Sequence, residues 1–203
     1  ARSGIASLAQ WQQRTSTPPR LGTPGPGSIS FIVSTLLRDV AHLPVSVVSG
    51  YEGSGDTLLA LGSGEVDGFC ASWETLGPAV RRSPDLTPVL RLSTAPVPGF
   101  DTVPDLLSVV ADPQARHLLD VGIYAWNDLG RVFVAPRGVA PERLEAPRSA
   151  IAHTMADASY RRDADTAGIV GQPIPAATLD RAFARATGDR AAVTALHALL
   201  AAR

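Results

Sequence analysis

The sequence has no lysine: all eighteen basic residues among its 203 are arginine. That absence removes Schiff-base chemistry and any phosphate-binding Gly-rich loop that depends on its lysine. Cysteine is almost absent too. The single Cys70 can form neither an internal disulfide nor a multi-cysteine metal site, so cysteine usage leaves the redox compartment open. Charged residues are scarce at 18%, below the roughly 25% of an average soluble protein. Eighteen basic and nineteen acidic side chains give a formal charge of -1 with no long run of either sign. Such a balance leaves no electrostatic footprint for nucleic acid or a membrane surface. No apolar stretch reaches the length of a membrane span, so direct membrane insertion is not expected. The chain opens Ala1-Arg2-Ser3-Gly4, with neither an initiator methionine nor a signal peptide, and is expected to be processed, trimmed or partial.

What is present is a 45% hydrophobic composition, which excludes intrinsic disorder and suits one large or two small globular domains. Leu8 and Trp11 sit three apart in an amphipathic pattern over 6–14 that ends before Thr17-Pro18-Pro19. Leu21 starts a short extended piece. The run Gly22 to Ser28 cannot be helical, since two prolines and three glycines interrupt it, and Ser28 is placed to cap the apolar segment Ile29 to Val40. Val45 to Ser49 is a β-branched strand candidate, followed by a loop from Tyr51 to Asp56 and a helix from Thr57 to Leu61. Further strands are predicted at Val66 to Ala71, Leu86 to Leu92 and Val132 to Ala135. Helices are predicted at Trp73 to Val80, Asp105 to Ala111, Pro113 to Val121, Arg143 to Met155, Ala176 to Ala186 and Asp189 to Ala202. Strand and helix alternating at this spacing argue for an α/β fold with a largely parallel sheet.

In such a sheet the two Gly-rich loops both fall at the carboxyl edge, where ligands of open α/β sheets bind. The first, with Thr23, Gly25, Gly27 and Ser28, exposes backbone N–H groups at the positive end of a helix, a seat for an anion. It is equally a tight turn whose serine merely caps the helix. It is not a dinucleotide fingerprint, because the third glycine position is Ser30. The second loop offers Tyr51, Gly53 and Ser54, with Tyr51 either facing the cleft or packing half-buried. Asp67, within Gly64-Glu65-Val66-Asp67-Gly68, reads as a turn residue or as a polar group aimed into a cleft. Cys70 reads as a small buried hydrophobe more readily than as a nucleophile. His42, His117, His153 and His197 are scattered without paired spacing, and no metal or cofactor is expected.

These segments resemble a family, the solute receptors of tripartite tricarboxylate transporters, which are periplasmic carboxylate-binding proteins of bacteria. The resemblance is carried by Leu21 to Ser28, by Gly50-Tyr51-Glu52-Gly53-Ser54, and by Leu58-Leu59-Ala60-Leu61 running into Gly64-Glu65-Val66-Asp67-Gly68 with Ser72-Trp73 behind it. It continues in Gly130-Arg131-x-Phe133-x-Ala135-Pro136-x-Gly138-Val139-Ala140-Pro141-Glu142-Arg143. The family implies a two-lobed receptor that closes on a small organic carboxylate without chemistry and feeds membrane transporter subunits. On that pattern, residues 1–130 form a ligand-binding α/β lobe. Residues 131–203 supply a strand and helices to the other lobe, whose remaining part lies in family members ahead of the residues matched here.

Two other readings stay open at the level of sequence: a cleft enzyme with Cys70 or Ser54 as nucleophile, and a degenerate remnant that binds nothing. The first needs a histidine and an oxyanion pocket to converge on the nucleophile.

Overall fold

In the computed structural model, residues 3–73, 76, 83, 85–93, 100–127, 129, 132–167 and 174–201 are described. Ser7 starts the first helix, α1 (Leu8–Gln12), its hydroxyl accepting the Gln10 N–H at 3.3 Å. Leu8 and Trp11 face inward, and the Trp11 indole N–H donates to the Pro44 carbonyl at 2.7 Å. Strand β1 (Arg20–Thr23) then pairs in parallel with β2 (Ser46–Ser49), Arg20 opposite Ser46 and Thr23 opposite Ser49. Helix α2 (Ile29–Asp39) connects them, and α3 (Ser54–Ser63) follows β2.

The strands are four residues long and their side chains alternate between faces. Leu21 points into the main core with Val33, Leu36 and Leu37 of α2. Gly22 points the other way, against α3. A Cβ there would lie 2.7 Å from Thr57 Cγ2, 3.2 Å from Tyr51 Cε2 and 3.4 Å from Val66 Cγ1. Only a residue without a side chain lets α3 lie this close to the sheet.

On its free side β1 meets residues 67 and 68. The Gly22 N–H donates to the Gly68 carbonyl at 2.9 Å, and the Arg20 carbonyl accepts the N–H groups of Asp67 and Gly68. This pairing is an isolated bridge, Leu21 with Gly68, and not the strand predicted over Val66 to Ala71. Leu86 to Leu92 likewise contributes a single bridge, Arg91 with Asp105. Val132 to Ala135 forms no strand among the described residues, with Phe133 84% and Val134 79% exposed. The architecture is therefore mixed α/β with a small parallel sheet. The larger sheet expected from sequence is missing among the described residues because β-branched runs become strands only where a neighbouring strand supplies a ladder.

Helices make up most of the remainder: α4 (Leu106–Val109), α5 (Pro113–Leu119), α6 (Ala125–Asn127), α7 (Pro141–Ala156), α8 (Ala158–Thr166), α9 (Ala176–Gly188) and α10 (Arg190–Ala201). Between α5 and α6 the backbone widens into a π-helical turn, Asp120–Tyr124, which sequence reading did not anticipate. That turn aims the Tyr124 hydroxyl at the buried Asp105 carboxylate, 2.8 Å away. The helix predicted from Thr57 begins at Ser54, and that predicted over Trp73 to Val80 lies mainly outside the described residues.

The core runs from Leu8 and Trp11 through Leu36, Leu106 and Leu119 to Ala192 and Leu196 of α10, so it crosses residue 130. By contrast α7 and α8 bury none of their residues. No helix among the described residues is long and apolar enough to cross a membrane.

Candidate functional site

Both Gly-rich loops leave the carboxyl edge of the sheet, and Thr23 joins them. Its carbonyl accepts the N–H groups of Gly50 at 3.2 Å and Tyr51 at 3.4 Å, and its hydroxyl meets that of Ser49 at 3.2 Å. Thr23 is fully buried, so it braces the loops from beneath and leaves no atom for a ligand.

Above it, Gly25 and Gly27 take φ values of +135° and +87°, a backbone that folds the chain directly into α2. Ser28 is the N-cap residue of α2, as expected, its Oγ accepting the Phe31 N–H at 3.3 Å. The same hydroxyl donates its proton to the Gly25 carbonyl at 2.7 Å. Ser28 was expected to be part of the anion seat, but its one hydroxyl proton is spent within the turn. The donors left at this end of α2 are the N–H groups of Ile29 and Ser30, since Ser28 Oγ holds the Phe31 N–H and takes the Ser30 hydroxyl proton at 3.4 Å. Sequence reading noted Ser30 only as a missing glycine. Ile29, 78% exposed, leaves the helix end open, and no acidic residue occupies its first turn.

The second loop has the opposite electrostatics. Gly53 occupies the N-cap of α3 without a side-chain cap, and its carbonyl takes both the N–H and the hydroxyl of Thr57. Ser54 is exposed in the first turn beside Asp56, whose carboxylate reaches back to the Glu52 N–H at 3.3 Å. An anion is thus favoured at α2 and opposed at α3, where Asp56 already answers the helix dipole.

Tyr51 does not aim its hydroxyl at the carboxyl edge. Its ring lies over Gly22 and its hydroxyl donates to Glu65 Oε1 at 2.7 Å. This hydrogen bond to a carboxylate holds the phenol proton more tightly than usual.

Asp67 stands at the other edge of the sheet. It accepts the Arg20 backbone N–H at 2.9 Å and the guanidinium at 3.0 and 3.3 Å, while Arg20 also donates to the Gly64 carbonyl. Arg20 begins β1 and Thr23 ends it, so about 10 Å of strand separates Asp67 from the glycine loops. Burial would raise the Asp67 pKa, but the bonds and charge of Arg20 outweigh it and hold the carboxyl below its usual range. An open depression of about 320 Å³ at this amino edge is lined by Arg14, Arg20 and Asp67, among others.

Of the residues singled out in the sequence, the structure gathers Gly25, Gly27, Ser28, Gly53 and Ser54 at one edge. Cys70 packs against the core, and burial pushes its thiol up to about 12. At neutral pH such a sulfur is a thiol and a poor nucleophile.

No family model and no curated protein matches the chain. Among solved structures it is similar to that of R. palustris Rpa4515 with adipate, at a TM-score of 0.62 and 16% sequence identity, over 98% of this chain and 62% of that one. The likeness is one of fold. The chain spans about 62% of the length of that protein.

Proposed function

We propose that the chain is the ligand-binding part of a periplasmic solute receptor for a small organic carboxylate, delivering it to the subunits of a tripartite tricarboxylate-type transporter. The observation that carries this reading is the Thr23 junction, which sets two βα loops side by side and leaves the end of α2 open and free of acidic groups. The shared fold with an adipate-bound protein supports it. A carboxylate would take the first-turn N–H groups of Ile29 and Ser30, with Gly25 and Gly27 allowing close approach and Gly53 and Ser54 flanking it.

The role is binding without chemistry. In this reading residues 1–130, joined in one core by α10, hold the ligand lobe, and α7 and α8, which bury none of their residues, extend toward a second lobe. The exposed Phe133 and Val134 and the absence of buried residues in α7 fit a segment whose packing partner lies elsewhere. A ligand held from one side keeps contact with water, where each polar contact nets about 1 kcal/mol. Binding by this chain alone is therefore weak.

Calorimetric titration with adipate, citrate and glutamate, with neutral adipamide as control, tests the reading. A saturable response to one of the carboxylates and none to adipamide is expected. Equal responses to adipate and adipamide, or no carboxylate response at all, would overturn it.

A further inference from the structure

The loop Gly50 to Gly53 has a glycine at each end. Gly50 sits at φ +121°, and nothing lies within 4 Å of a Cβ built on either glycine. Glu52 is exposed. Between these hinges Tyr51 is fastened at three places: its N–H on the Thr23 carbonyl at 3.4 Å, its ring over Gly22, and its hydroxyl on Glu65 at 2.7 Å. Glu65 belongs to the turn after α3, and its own N–H is bonded to the Ala60 carbonyl at 2.9 Å, so the acceptor is anchored. The side chain thus ties a loop at the carboxyl edge to a fixed point just beyond the C-terminal end of α3.

We propose that Tyr51 is a positioning residue: latched to Glu65, its hydroxyl holds the Gly50 to Gly53 loop in place beside the α2 terminus and so sets carboxylate affinity without touching the ligand. The inference rests on the carboxylate reading above. A loop released from one anchor must be reordered when ligand binds, and that lost freedom weakens binding.

The test compares wild type, Tyr51→Phe, Glu65→Ala and the double variant, using adipate as probe. Tyr51→Phe keeps the ring over Gly22, so its melting midpoint should stay close to wild type. Each single variant should weaken adipate roughly three- to tenfold, the loss of one hydrogen bond. The double variant should be no weaker than either single one, because all three break the same link. Amide hydrogen exchange over residues 50–53 should quicken in all three. Unchanged affinity in Tyr51→Phe would overturn the proposal. So would a loss in Tyr51→Phe that Glu65→Ala does not share, which would place the hydroxyl on the ligand. If wild type ignores adipate, the carboxylate reading fails first. Unchanged exchange over 50–53 in Tyr51→Phe would then overturn the latch independently of any ligand.

Discussion

Gly22 in β1 and Thr57 in α3 meet so closely that a Cβ on the glycine would stand 2.7 Å from the threonine Cγ2. Gly22→Ala must push α3, with the second loop at its start, away from the sheet. Overpacking of this kind costs about 1–3 kcal/mol. The expected result is a lower melting midpoint together with faster amide exchange along α3, and a wild-type midpoint would show that the helix shifts freely.

Ser28 separates capping from ligand binding. Ser28→Ala removes the cap and the bond to Gly25, and should cost about 1 kcal/mol. Ser28→Asp retains a capping oxygen and adds a carboxylate at the positive end of α2. It should fold at least as stably as Ser28→Ala while losing the response to adipate. Retained adipate binding in Ser28→Asp would place the carboxylate elsewhere.

The Arg20–Asp67 pair makes stability depend on acid. Asp67 titrates lower in the folded chain than in the unfolded one, so its contribution is present above the unfolded carboxyl value and fades as pH falls through the folded value. At pH 7, Asp67→Asn should cost no more than about 1 kcal/mol, since the Arg20 side chain is 45% exposed and screened. Denaturation curves should show the difference shrinking below about pH 4. A pH-independent difference would mean that shape, not charge, is what Asp67 supplies.

Cys70 should resist thiol reagents at pH 8 in the folded chain and react at once in denaturant, given a thiol pushed up to about 12. Rapid native-state labelling would favour the reading of Cys70 as a nucleophile.

Local signals explain what the sequence showed well. Proline and glycine between Gly22 and Ser28 forbid a helix, and a serine in front of Ile29 starts one, so the first βα turn was readable residue by residue. The strand predictions at Leu86 to Leu92 and Val132 to Ala135 failed because strand formation depends on a partner that a local pattern does not contain. Long-range pairing hid the rest. Asp67 is bound by Arg20, 47 positions earlier, and Tyr51 by Glu65, 14 positions later, so neither side chain could be assigned a direction from its neighbours. Nor does a serine in the N-cap position disclose whether its single proton is free, as Ser28 shows.

The central claim is that a carboxylate sits at the carboxyl edge of the sheet, against α2. Mapping backbone amide chemical shifts while titrating adipate into the chain tests it most directly, because the method registers weak binding and locates it. The account predicts saturable shifts centred on Gly25 to Phe31, smaller ones at Gly53 and Ser54, and loss of both in Ser28→Asp. Shifts centred instead on Arg14, Arg20 and Asp67 at the amino edge, or none along α2 at any concentration, would contradict it.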